Sequence, residues 1–167
     1  MNQLEKFREI RTFIFDVDGV LTNSEVLVME NGQLLRKMNI RDGYAIKKAI
    51  KEGYRVAVIT GGKSEGVRER LKALGVIDIY SGVDDKLEAY EELVDIYDLD
   101  EGQILYMGDD LPDYAVLRRV GLACVPQDAA PDLFRIAQYV SPRTGGDGCA
   151  RDVIEKVLRL NEKWSEE

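Results

Sequence analysis

The chain of 167 residues contains no histidine. Every mechanism that uses an imidazole base within the chain is therefore excluded, including Ser-His and Cys-His arrangements. Acid–base chemistry must come from carboxylates, Lys, Tyr or Cys. Cysteine is scarce: Cys124 and Cys149 lie far apart, with no CxxC pair, which argues against a structural disulfide or a zinc site. No apolar run approaches a membrane span, and residues 1–11 are too polar for a secretory signal, so a cytoplasmic address is expected. Positive charge is also in deficit. The net charge is -8, which speaks against broad nucleic-acid binding. An anionic substrate would need a metal or local basic groups to overcome that field.

What is present is an alternation of short apolar runs and amphipathic stretches. Strands are expected at 12–15, 55–59, 77–80, 103–107 and 122–125. Helices are expected from a cap at Asp42 through Glu52, closed by Gly53, and from a cap at Ser64 through Leu74, closed by Gly75. Three more are expected: about 84–98, with Leu87, Tyr90, Leu93, Val94 and Tyr97 on one stripe; after Pro112 and ending before Gly121; and about 149–163. This alternation reads as an α/β fold, a Rossmann-like doubly wound, mostly parallel sheet with helices on both faces and ligands beyond the carboxyl ends of its strands. The whole of 1–167 reads as a single domain. One segment breaks the pattern: Asn31-Gly32 lies between two apolar runs and predicts a projecting β-hairpin over about 22–39. With consecutive apolar residues at 26–29, both its faces are apolar, so a second copy of the chain is expected to cover it.

Acidic and small polar residues stand at the strand ends. The first strand runs into Asp16-Val17-Asp18-Gly19, the second into Thr60-Gly61-Gly62, and the 103–107 strand into Gly108-Asp109-Asp110, with Asp113 one turn later. Asp84-Asp85-Lys86 precedes the third helix. Singly, such residues are ordinary helix caps and Asx turns. Asp16 is different, because it directly follows Phe13-Ile14-Phe15, where a carboxylate is costly unless paired or metal-bound. Together the acids form a negative site at one sheet edge that suits Mg²⁺, a hard cation that takes a few carboxylates and keeps several waters.

In order and type, the motifs Asp16-x-Asp18-Gly-Val-Leu-Thr, Thr60, Lys86 and Gly108-Asp109-Asp110-x-x-Asp113 resemble the haloacid dehalogenase superfamily over residues 12–125. The resemblance implies that Asp16 attacks phosphorus to form an aspartyl-phosphate, and that Asp18 protonates the leaving oxygen and then activates water. It implies that Asp16, Asp109 and the Asp18 backbone carbonyl hold Mg²⁺, and that Thr60 and the following amides at Gly61 and Gly62 bind phosphoryl oxygens. Lys86 would offset charge, and Asp110 or Asp113 would orient metal waters or Lys86. The second aspartate, Asp18, favours hydrolysis over transfer.

Neither 19–59 nor 61–85 has room for a cap domain once the core helices and strands are placed, since units below about 40 residues rarely stand alone. This narrower pattern resembles the capless phosphatases of 3-deoxy-D-manno-octulosonate (KDO) 8-phosphate, through Ile40-Arg41-Asp42-Gly43, Thr60-Gly61-Gly62-Lys63-Ser64 and the tail Gly145-Gly146-Asp147-Gly148-Cys149-Ala150-Arg151. It implies a homotetramer joined by hairpins, a C-terminal tail (about 141–167) that can reach a neighbour's site and fold over its own or that neighbour's substrate as a lid does, and a phosphorylated sugar acid as partner, cleaved in lipopolysaccharide synthesis. Lys63, Arg41, Arg70 and Arg143 are candidates for binding that substrate, Arg being suited to a carboxylate. Nine-carbon sugar acid 9-phosphates stay open as an alternative; their phosphatases tend to carry an acidic residue where Gly62 stands. A receiver-like domain and a silent scaffold on the same fold are readings of a different class. The first is disfavoured because DxD comes before Lys86 and the Asp-Asp pair after it; the second, by the intact acids and lysine.

Overall fold

The computed structural model describes residues 1–166. In chain order its elements are α1 (Gln3–Glu9), β1 (Thr12–Phe15), the hairpin strands β2 (Leu27–Val28) and β3 (Leu34–Leu35), α2 (Ile40–Lys51), β4 (Arg55–Ile59), α3 (Glu65–Ala73), β5 (Asp78–Tyr80), α4 (Lys86–Tyr97), β6 (Ile104–Met107), α5 (Tyr114–Leu117), β7 (Leu122–Val125), β8 (Tyr139–Val140) and α6 (Cys149–Leu160). Six strands form one sheet in the order β5-β4-β1-β6-β7-β8. Every pairing within it is parallel. This is the expected doubly wound α/β fold.

The strands are apolar throughout because both faces are covered. Phe13 and Phe15 of β1 face α1, α2, α3 and α6, packing with Phe7, Ile46, Leu71 and Ile154. Ile14 points the other way, into a second core with Tyr90 and Leu93 of α4 and Val116 and Leu117 of α5. The expected α4 stripe is correct at Tyr90 and Leu93, while Tyr97 at its end is half-exposed beneath the Arg55 guanidinium, 3.6 Å from the ring centre.

Several details differ from the sequence reading. The cap of α2 is Asn39, whose Oδ1 accepts the amides of Arg41 at 2.8 Å and Asp42 at 3.0 Å, so the helix starts before Asp42. Asp42 is buried and serves another helix: its Oδ1 accepts the Arg151 amide at 3.0 Å, at the start of α6. That start needs an outside acceptor because Gly148, the residue before the helix, offers no side-chain cap. The cap of α4 is Asp85, so Lys86 is its first residue. The helix after Pro112 is only a 3₁₀ turn at Leu111–Asp113 followed by the four-residue α5. Two elements were unexpected. Helix α1 is closed by a reciprocal box between Asn2 and Glu5 and anchored by buried Phe7. Strand β8 is two residues long, too short to show alternation.

The hairpin forms as expected, with the Met29 amide donating to Gln33 O at 2.8 Å. Its apolar side chains face solvent in the single chain: Leu27 is 62% and Val28 65% exposed. Residues 141–160 pack against their own chain. The Gly146 amide donates to Val20 O at 3.0 Å and the Gly145 amide to Asp128 Oδ1 at 2.9 Å. Helix α6 then buries Val153, Ile154, Val157 and Leu158 in the core. Gly145 lies so close that a Cβ there would collide with the Gly19 carbonyl. No helix is long and apolar enough to cross a membrane.

Candidate active site

The carboxyl end of β1 delivers Asp16. Its amide donates to Met107 O at 3.1 Å, extending the β1–β6 ladder by one residue. Its Oδ1 accepts the Val17 amide at 2.7 Å. The chain then winds a single loose turn over Val17–Leu21, broken at Asp18 and at Gly19, which has φ +89°. Only glycine fits here. The conformation is left-handed, and a Cβ would strike the Asp109 carboxylate, which lies directly over the turn. The Asp-x-Asp-Gly motif is thus a backbone device that brings a loop after β6 against a loop after β1.

Lys86 binds these loops together. Its Nζ lies 3.0 Å from Asp16 Oδ1 and 2.8 Å from Asp113 Oδ1, with all three side chains buried. Burial alone would lower the lysine pKa, but the adjacent Asp16 and Asp113 charges outweigh it and raise the pKa. Asp113 is fully engaged by donors. Oδ1 accepts from Lys86 and, at 2.5 Å, from the Tyr106 hydroxyl; Oδ2 accepts the Asp109 amide at 3.0 Å and the Asp110 amide at 3.4 Å. Asp113 thus touches Lys86, one of the groups it was expected to orient. Asp110 accepts the Leu111 amide at 2.7 Å as a cap, its residue still lining the cleft. Thr60, at the end of β4, is buried, and its Oγ1 accepts the Gly62 amide at 3.1 Å, folding the loop of Gly61 and Gly62 toward the site.

The cleft has a volume of roughly 630 Å³. Asp16, Asp18, Thr60, Gly61, Gly62, Lys86, Asp109, Asp110 and Asp113 all line it, so residues from four separate stretches of chain meet at one place. Glu25 and Val26 of the hairpin line it too, which the sequence did not single out. Of the basic candidates, Lys63, Arg41, Arg70 and Arg143 are exposed and none lines this cleft. Arg41 lies by Tyr44 and Trp164, and Arg70 beside the hairpin and Met38. Two functional candidates were missed. Tyr106 hides in an apolar strand. Arg36, which pairs with Asp18 through Nε at 2.6 Å, looks from the sequence like a surface charge on the hairpin.

Carboxylate oxygens of Asp16, Asp109 and Asp113 lie within 4.8 Å of one another. Burial, the neighbouring Asp113 and, more weakly, Asp109 hold the Asp16 pKa well above its ordinary value despite Lys86. Asp109 is pushed up to about 6, chiefly by burial and by Asp113, against a hydrogen bond with Asp16 that lowers it. Lys86 is the one basic residue lining the cleft among the described residues. With Asp113 occupied by donors, buried Asp16 and half-buried Asp109 form a pair short of positive charge. A hard divalent cation fits that donor set, since it relieves the repulsion and takes oxygen ligands.

A sequence profile of haloacid dehalogenase-like hydrolases matches residues 73–152. The KDO-8-phosphate phosphatase of Salmonella typhi is 37% identical over 163 residues, covering 98% of this chain and 87% of its own. The crystal structure of the phosphatase of that name from Yersinia pestis superposes with a TM-score of 0.93 at 37% identity, covering 96% of this chain and 86% of the other. That of Moraxella catarrhalis, described in complex with magnesium ion, phosphate ion and KDO, gives a TM-score of 0.90 at 30% identity, with 94% and 90% covered. Identity of this extent over nearly the full length, together with a shared fold, establishes that the chain belongs to the haloacid dehalogenase-like hydrolases, in the family of the KDO-8-phosphate phosphatases, and is a phosphomonoesterase.

Proposed function

We propose that the protein hydrolyses KDO-8-phosphate to KDO and phosphate, using Mg²⁺ and an aspartyl-phosphate on Asp16, in the cytoplasmic part of lipopolysaccharide synthesis. The observation that carries this reading is the buried line Asp16–Lys86–Asp113 beside Asp109 and Asp18. The likeness to relatives that bear this substrate in their names supports it.

In the first step an Asp16 oxygen forms a bond to phosphorus while the bond to the sugar oxygen breaks. The leaving oxygen takes its proton from Asp18. In the second step Asp18 takes a proton from water, whose oxygen bonds to phosphorus and releases phosphate and the Asp16 carboxylate. The Val17 amide and Lys86 fix the orientation of Asp16 through Oδ1, so little reorganisation is needed at the moment of attack. Thr60 and the amides after it receive phosphoryl oxygens. Asp16, Asp109 and the Asp18 carbonyl would hold Mg²⁺, which when bound supplies positive charge to the phosphoryl group. The substrate is a small phosphorylated sugar acid, and neither nucleic acid nor membrane takes part.

The exposed hairpin supports a homotetramer in which neighbours cover Leu27, Val28, Leu34 and Leu35. A neighbour would also wall a cleft that the single chain leaves open. The test is kcat/KM over a panel of sugar-acid and hexose phosphates with Mg²⁺, with Asp16→Asn as control. A clear preference for KDO-8-phosphate is expected. Equal turnover of hexose phosphates would remove the substrate assignment.

A further inference from the structure

Asp18 does not stand alone on its turn. Arg36, which follows β3, reaches back so that Nε donates to Oδ1 at 2.6 Å and Nη2 to Oδ2 at 3.2 Å. This is the two-pronged fit of a guanidinium on a carboxylate, which fixes direction as well as distance. The two side chains are unequally covered. That of Arg36 is 7% exposed and that of Asp18 42%, so the guanidinium stands behind and the carboxylate in front, on the cleft wall. Space for the pair comes from Gly62, where a Cβ would lie 3.2 Å from Nη2 and 3.4 Å from Asp18 Oδ2. A longer side chain at 62 would press on both partners.

Each carboxylate oxygen has a second lone-pair site. The fork occupies one on each oxygen and leaves the other for proton exchange on the cleft side. Asp18 needs such a hold, since it sits at the break in the Val17–Leu21 turn and its side chain is otherwise half in solvent. We propose that Arg36 is a positioning residue that aims Asp18 at the leaving-group oxygen and so couples the proton donor to the hairpin. This rests on the reading of Asp18 as the acid given above.

The test uses phosphate monoesters with leaving groups of graded acidity, compared by kcat/KM, which reports the steps up to departure of the leaving group. An alkyl alkoxide needs Asp18's proton to leave; p-nitrophenolate does not. Arg36→Ala is expected to lower kcat/KM for alkyl phosphates about 10- to 100-fold and for p-nitrophenyl phosphate less than about threefold. Arg36→Lys, which keeps a charge but loses the fork, should recover only part of the loss. In an Asp18→Asn background, Arg36→Ala should cost nothing further. Equal loss on both ester types, in both Arg36 variants, would overturn the proposal, because a general defect in folding or site shape acts on every substrate alike. So would an unchanged alkyl rate. Wild-type enzyme whose leaving-group dependence is untouched by Asp18→Asn would instead overturn the assignment of the acid, and this proposal with it.

Discussion

Asp42 on α2 and Arg151 on α6 are joined by one hydrogen bond, from the Arg151 amide to Asp42 Oδ1 at 3.0 Å. Through it a carboxylate far away in sequence closes the first turn of a helix whose own preceding residue is glycine. The arrangement buries the acid: Oδ2 has no hydrogen-bond partner among the described residues, and burial pushes the pKa up to about 6 against the opposing amides of Arg151 and Gly148.

The sign of the resulting pH dependence follows. A carboxyl whose folded pKa lies above its unfolded value near 3.8 binds its proton more tightly in the folded state. Its contribution is therefore most favourable below about pH 4 and declines as pH rises through 6, by about 3 kcal/mol in all. Asp42→Asn keeps an acceptor for Arg151 and removes the titration. The difference in unfolding free energy between wild type and variant should shift in the variant's favour from pH 4.5 to 7.5. Parallel urea curves at both pH values would sink this account.

Dialysis against a chelator is expected to abolish phosphate release, and Mg²⁺ to restore it. Binding should also stabilise the fold by about 2.7 kcal/mol at a hundred times Kd. Asp109→Asn should remove most of that thermal shift, read by calorimetry with no substrate present. Full activity in rigorously metal-free buffer would contradict the metal assignment.

Asp113 carries four donors at once. Asp113→Ala leaves Lys86 and two amides short of an acceptor and should destabilise the protein by about 3 kcal/mol, with activity lost as Lys86 drifts. Tyr106→Phe removes one donor only, so a cost of about 1 kcal/mol and a smaller fall in kcat are expected. Chemical denaturation of both variants measures the contrast; equal costs would show that the lysine contact is not the main one.

Leu27→Asp with Val28→Asp places charge on the exposed hairpin. Sedimentation velocity is expected to give a tetramer for the wild type, as proposed above, and smaller species for the variant. A wild type that sediments as a monomer at micromolar concentration would disprove the assembly.

The sheet was legible because both of its faces are covered, which makes 12–15, 55–59 and 122–125 plain apolar runs. The acids were legible because each stands where such a run stops. Arg36 was not, because its partner lies across the fold and nothing local distinguishes it from Lys37 beside it. Tyr106 was hidden for the opposite reason: in a buried strand a tyrosine reads as one more aromatic, and only the arrival of Asp113 gives its hydroxyl a purpose. Asp42 was read as the cap of its own helix, since sequence supplies the cap's chemistry but not which helix end it meets. Helix α1 had its mark, Asn2 three residues before Glu5, yet its short apolar face gave no periodicity to read.

The contact of Gly145 and Gly146 with the Gly19–Asn23 backbone also has a consequence for how the molecule comes to exist. The turn that presents Asp16 and Asp18 is made well before the residues that brace it. A nascent chain or a fragment stopping short of residue 145 can build most of the sheet and still lack the support that holds its reactive turn in place.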